Sequence, residues 1–244
     1  TGFFETVIDG QVVRSPDHFA VTAPAVPGNF VTPVRRSRGF EGMAASPDGR
    51  FLYPMLEGPL WNAQTRGWES REGRDVLRIL EFDVQSARYT GRSWNYPIEI
   101  AGNNIGDFNM IDATTALVIE RDNGEGDAAL ACPPNEPRAD CFNVPARFKR
   151  VYKIELGESG GMVRKIAYVD LLNIDDPKRL ARVGGREGRF SFPHWCIEGV
   201  DIVDADHIVV LNDNNLGVSA AREFGRNEAN EMVLLRVPEL LRAR

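Results

Sequence analysis

A unit written three times constrains this chain more than any other feature. Its first copy, residues 38–58, reads as strand, tight turn, strand. Ser46-Pro47-Asp48-Gly49 is the turn, with Pro fixing φ and Gly supplying a positive φ. Phe51-Leu52-Tyr53 opens the second strand with aromatic residues that suit a pleated surface. The unit returns at Ile105-Gly106-Asp107-Phe108 through Val118-Ile119-Glu120, and again at Ile197-Glu198-Gly199-Val200 through Val210-Leu211-Asn212. Aligned by pattern, Glu41, Asp107 and Glu198 share one position, and Glu57, Glu120 and Asn212 share another.

Further strands follow two of these hairpins. Residues 76–84 and 93–98 alternate as strands after the first, and residues 150–156 and 163–169 after the second. A strand at 232–237 follows the third, and a short helix is expected at Pro238-Glu239-Leu240-Leu241. Residues 171–181 read as a short helix or an irregular excursion. The fold class is therefore all-β, and the repeat favours a β-propeller of four-stranded blades over a two-sheet sandwich. A propeller typically has about four or more blades. Three units predict that this chain is the C-terminal part of a longer ring. Residues 1–37 are expected to be irregular, with the remnant of a preceding blade and a hairpin turning on Asp9-Gly10, and residues 38–244 to hold the blades.

The net charge is −6, which argues against bulk attraction to nucleic acid or an anionic membrane. No stretch approaches the roughly 18–20 apolar residues of a membrane span. The chain opens at Thr1 rather than Met, which reads as a processed product, so the lack of a signal sequence carries no information. Cys132 and Cys141 flank a Pro- and Asn-rich loop that is poorly ordered unless tied. A disulfide there implies an oxidising compartment, and two free surface thiols are the alternative. Cys196, beside Trp195 and Ile197, is expected to be buried, and no zinc spacing is present.

At these residues the chain resembles a known family. Gly39-Phe40-Glu41-Gly42-Met43, Pro47-Asp48-Gly49, Ile119-Glu120-Arg121-Asp122-Asn123-Gly124, Lys149-Arg150-Val151-Tyr152 and Ile197-Glu198-Gly199-Val200 are similar to the "esterase-like activity of phytase" domain family. The resemblance covers about residues 36–237. It implies a secreted or periplasmic bacterial propeller that hydrolyses phosphoric esters, with a small phosphorylated substrate as partner.

The chemistry follows from where the acids fall. In a propeller, the starts of the innermost strands converge at one channel mouth. Carboxylates gathered there repel unless a cation sits among them. Oxygen ligands suit Ca²⁺, so Glu41, Asp107, Glu198, Glu120 and Asp213 are the expected metal set. The alternative is that each carboxylate caps backbone N–H groups of a neighbouring blade. Residues 122–127 lack the spacing of an EF-hand. Phosphate also needs cations. Arg121 and His194 are the expected catalytic residues, and Arg38, Lys149 and Arg222 the expected substrate ligands; ion-paired surface residues are the alternative for the cations. His207, at a strand start, is expected to be structural. No Gly-x-Ser-x-Gly elbow is present, which argues against a serine nucleophile. Metal-activated water is the expected nucleophile. Two other readings remain: a lactonase-type propeller with one Ca²⁺, and a non-catalytic binding or scaffold propeller with a structural ion.

Overall fold

All three hairpins predicted from the repeat form, with ends at most two residues from those expected. The computed structural model describes residues 6–8, 10–15, 18–19, 33–62 and 64–244. The expected Phe3-Phe4 start of the first hairpin, and Pro24 and Pro27, lie outside them. The chain divides into two compact units. One comprises Thr1–Ala101, Asp112–Thr114 and Leu156–Arg164; the other comprises Gly102–Ile111, Thr115–Glu155 and Lys165–Arg244. Both are built from antiparallel β-structure, so the chain is all-β.

In the first unit, β1 (Thr6–Ile8) pairs antiparallel with β2 (Gln11–Val13), the expected small hairpin. The main sheet holds β3 (Phe40–Ala45) and β4 (Phe51–Leu56). The short pair β5 (Trp61–Asn62) and β6 (Gly67–Trp68) brings two indoles edge to face at 5.1 Å. The sheet continues through β7 (Ser70–Arg71), β8 (Arg74–Asp83) and β9 (Arg88–Pro97) in the order β3-β4-β8, with β7 and β9 both on β8. The Ser46–Gly49 turn is held from within. Gly49 takes a φ of 69°, and the Asp48 carboxylate accepts from Ser46 Oγ and from Arg50 N–H. Met55, Val76, Leu77, Ile79 and Tyr96 are fully buried in this unit.

The second unit holds a four-stranded meander, β10 (Asn104–Met110), β11 (Thr115–Arg121), β12 (Lys149–Glu155) and β13 (Arg164–Asp170). The stretch expected as a short helix or excursion is irregular. It leads into a small sheet of β14 (Ile174–Asp175), β15 (Gly185–Arg186) and β16 (Arg189–Phe190). A three-stranded meander follows: β17 (Cys196–Ile202), β18 (His207–Asp213) and β19 (Met232–Arg236). The terminal helix α1 spans Pro238–Arg242. Its last carbonyls lack intrahelical partners, and the buried Lys153 ammonium donates to Leu241 and Ala243 carbonyls at 2.7 and 3.0 Å. One apolar cluster serves both sheets, with Leu117, Ile119 and Val151 from the first packed with Ile197, Val200, Ile208 and Val210 from the second.

Each of the three hairpins bulges at the same place. Pairing runs Phe40↔Leu56 then Met43↔Pro54 in the first, and Ile105↔Glu120 then Asp107↔Ile119 in the second. In the third it runs Ile197↔Asn212 then Gly199↔Leu211. Aligned on the bulge, the equivalent positions are Glu41, Gly106 and Glu198, and across the pair Leu56, Glu120 and Asn212. The expected groupings are therefore one residue out of register at Asp107 and at Glu57. Such a slip sends a strand side chain to the opposite face. Gly106 stands at this bulge because β17 comes close: a Cβ there would lie 1.9 Å from the Ile197 carbonyl oxygen.

Candidate functional site

The expected acidic set is not gathered by the second unit. Glu198 is the extra residue of its bulge, and bulges re-aim side chains. Its Oε1 accepts from Arg121 Nη2 at 3.0 Å. Arg121, expected as catalytic, is thus a buried ion-pair partner. Glu120 is wholly buried, with Asn103 Nδ2 at 2.9 Å on one oxygen and Lys165 Nζ at 2.7 Å on the other. Asp107 Oδ2 accepts from Val200 N–H at 2.8 Å, and its Oδ1 from Phe108 N–H. That is the backbone-cap alternative, realised between β10 and β17. Burial raises the Asp107 pKa, and these amide donors oppose the shift. Asp213 Oδ1 accepts from Asn215 N–H.

Glu41 and Arg38 belong to the first unit. Glu41 is exposed at its bulge, and Arg38 Nη1 meets Glu57 Oε1 at 2.5 Å. Among the described residues no three His, Cys, Asp or Glu side chains group as a metal site would require. Calcium takes about 6–8 oxygen ligands. In the second unit Asp107, Glu120, Glu198 and Asp213 already serve lysine, arginine or backbone N–H partners, so these four do not fit the ion as they stand.

Lys149, expected to hold substrate, is a staple instead. It is fully buried, and its ammonium donates to the carbonyls of Asp122, Gly124 and Trp195 at 2.8, 2.9 and 3.1 Å. Asp122 Oδ1 lies 2.9 Å away. Burial lowers its pKa to about 8, against the pull of Asp122. Asp122 in turn accepts from the N–H groups of Arg147 and Phe148, so one ion pair closes the loop after β11 onto β12 and the 192–195 segment.

Two of the predicted residues do meet. His194 is buried, held by a segment tied through Phe192 N–H to the Leu171 carbonyl and through Gly126 N–H to the Pro193 carbonyl. Phe192 packs edge-on against its ring at 4.4 Å. His194 Nε2 lies 3.2 Å from Glu231 Oε2. Its Nδ1 lies 2.9 Å from Glu228 Oε2, out of line for a hydrogen bond, and both atoms are otherwise unpartnered. Arg222 pairs with Glu231 through both terminal nitrogens and donates to the Ser191 carbonyl at 3.2 Å. Its guanidinium sits over Phe190 and Phe192. Gly184, at φ 72°, makes room for it: a Cβ there would lie 2.2 Å from Arg222 Nε. Burial alone would raise the Glu231 pKa, but hydrogen bonds from His194 and Arg222 and the guanidinium charge outweigh it, and the pKa is lowered.

Arg222, Glu228 and Glu231 line a broad groove whose other walls include Asp176, Arg182 and Leu234. The backbone that carries the two glutamates is fixed by β18. Asn212 Oδ1 accepts from Glu231 N–H at 2.7 Å, and Ser219 and Glu228 bond each other through side chain and backbone. Sequence reasoning missed Glu228 and Glu231. They sit in a polar loop outside the repeat, and their one local signal is a pair of acids three residues apart just before an apolar strand. His207 meets Asp204 at 2.8 Å beside its own strand, consistent with a structural role. The expected Cys132–Cys141 disulfide is present, and Cys196 is free and buried. Among the described residues no helix is long and apolar enough to cross a membrane.

Comparison with known proteins places this architecture. No curated protein matches the chain. The family model described as phytase-like, esterase-like activity of phytase, matches residues 6–216. That match spans most of the chain and both units, and the chain belongs to the phytase-like family, described by esterase-like activity of phytase.

Proposed function

We propose that this chain hydrolyses phosphoric esters, taking a small phosphorylated substrate in the groove beside Arg222 and moving protons through His194. The observation that carries this reading is a buried imidazole bracketed by Glu228 and Glu231, with Arg222 on the groove wall. Family membership supplies the reaction class. A phosphoryl group in reaction spreads negative charge over its oxygens, and fixed positive charge lowers that barrier. Arg222 is anchored by Glu231 and Ser191, so it offers its charge with little reorganisation. Glu231 stays ionised and orients Arg222 and His194. Glu228 lines the groove and comes to 2.9 Å of His194 Nδ1, so bringing that contact into line when substrate binds would let it pass protons between an attacking water and the imidazole.

The three bulged hairpins read as innermost strand pairs of propeller blades, and the disulfide suits an oxidising compartment such as the periplasm or the exterior. The ion-paired state of Glu120 and Glu198 favours a second reading, a phosphate-binding module without turnover.

The test is phosphomonoester hydrolysis by wild type, His194→Gln and Arg222→Gln, each normalised to folded protein by thermal melts. Loss of proton transfer should cost about 10²–10⁴-fold in rate for His194→Gln. Full activity per folded molecule in that variant would sink the catalytic assignment. Phosphate binding by a wild type that turns over no ester would favour the binding module.

A further inference from the structure

We infer that the basic excursion between β14 and β16 docks on an anionic lipid surface. Residues 175–189 carry five cations and three acids besides Leu180 and Val183. Two of the acids are spent locally. Asp176 is buried, and its carboxylate accepts from Leu180 N–H at 2.7 Å and Ala181 N–H at 3.0 Å. Asp175 pairs with Arg189 at the base of the excursion. Lys178, Arg179, Arg182 and Arg186 are all exposed, and within the excursion only Glu187 is left to oppose them, while Asp170, Glu223 and Glu239 line the adjoining groove.

The same tip exposes apolar side chains. Leu180 is 77% exposed and Val183 57% exposed, between and beside the cations. Met232 (70%) and Leu234 (62%) on β19 line the same groove. Cations alone would suit any polyanion. Leu180 and Val183 gain only where hydrocarbon lies beneath the charge, which selects a bilayer over a soluble polymer. The tip is also preorganised. Arg179 N–H bonds the Asp176 carbonyl and Asp176 N–H bonds the Gly188 carbonyl, so little chain entropy is lost on docking. On a molecule of net charge −6, a local cationic tip orients docking as well as driving it.

The experiment is flotation of the intact, disulfide-bonded protein with phosphatidylglycerol vesicles and with phosphatidylcholine vesicles. Binding is expected to the anionic vesicles and to fall as salt rises. The double variant Arg179→Glu/Arg182→Glu should bind at least about tenfold more weakly. Leu180→Ser/Val183→Ser should bind severalfold more weakly, with the salt dependence of the residual binding kept. These residues are exposed, so both variants should melt as wild type does. Equal binding to the two vesicle types, or anionic binding unchanged by the charge reversal, would overturn the proposal. Full vesicle binding by the Leu180→Ser/Val183→Ser variant would overturn it too, by showing a polyanion site without insertion.

Discussion

Lys149 is the residue whose removal should cost most. Replacing it with Met leaves the Asp122 carboxylate and three carbonyls facing a methyl group in a buried place. Breaking a buried pair by deleting one partner costs about 3–5 kcal/mol. Chemical denaturation of Lys149→Met should show that loss at neutral pH. The loss should grow above about pH 8, because the folded lysine gives up its proton there while the unfolded one holds it up to about 10.5. Stability therefore rises with pH through that window in wild type and not in the variant. Glu231 has the same sign in an acidic window. Its folded pKa lies below the ordinary 4.5, so its contribution is fully present above that value and is lost as pH falls through the folded pKa. Acid titration of stability should accordingly be less steep in Glu231→Gln than in wild type.

Among the elements, the 131–142 loop makes the clearest case. The disulfide closes a loop with a sequence separation of 9, worth about 2–3 kcal/mol by loop-closure entropy. Reduction should lower the melting temperature without dissolving the β10–β13 sheet. Thiol titration of unfolded, unreduced protein should count Cys196 alone. Finding three thiols would remove the argument for an oxidising compartment. This pairing was legible because a Pro-rich loop between two cysteines has few other ways to be ordered. The hairpins were legible for a similar reason: turn chemistry and apolar alternation both act within a few residues. The bulges were not. An extra residue leaves the alternation pattern almost intact, and only the pairing reveals that Asp107 stands opposite Ile119 while Gly106 takes the bulge.

At the scale of the molecule, the site and the repeat part company. The groove draws on residues from 167 to 240, mostly from connections, β13 and β19, and from the repeated hairpins it takes His207 alone. Repetition made the scaffold readable, and the acids it highlighted proved to be the scaffold's own ties. Asp107 binds β10 to β17, Glu198 holds Arg121, and Glu120 holds Lys165. His194 and Arg222 could be singled out by residue type alone. Their partners Glu228 and Glu231 required the loop's three-dimensional path.

The bulge at Gly106 also bears on how copies of such a unit can diverge. The same position holds glutamate in the first and third hairpins, where the side chain has somewhere to go. In the second, the neighbouring Ile197 carbonyl occupies that space. The three hairpins are therefore alike in shape but not interchangeable as parts. Transplanting the third hairpin's sequence into the second would drive a glutamate into a backbone oxygen. Recombination within a gene of this kind is restricted at a single codon whose product bears no side chain.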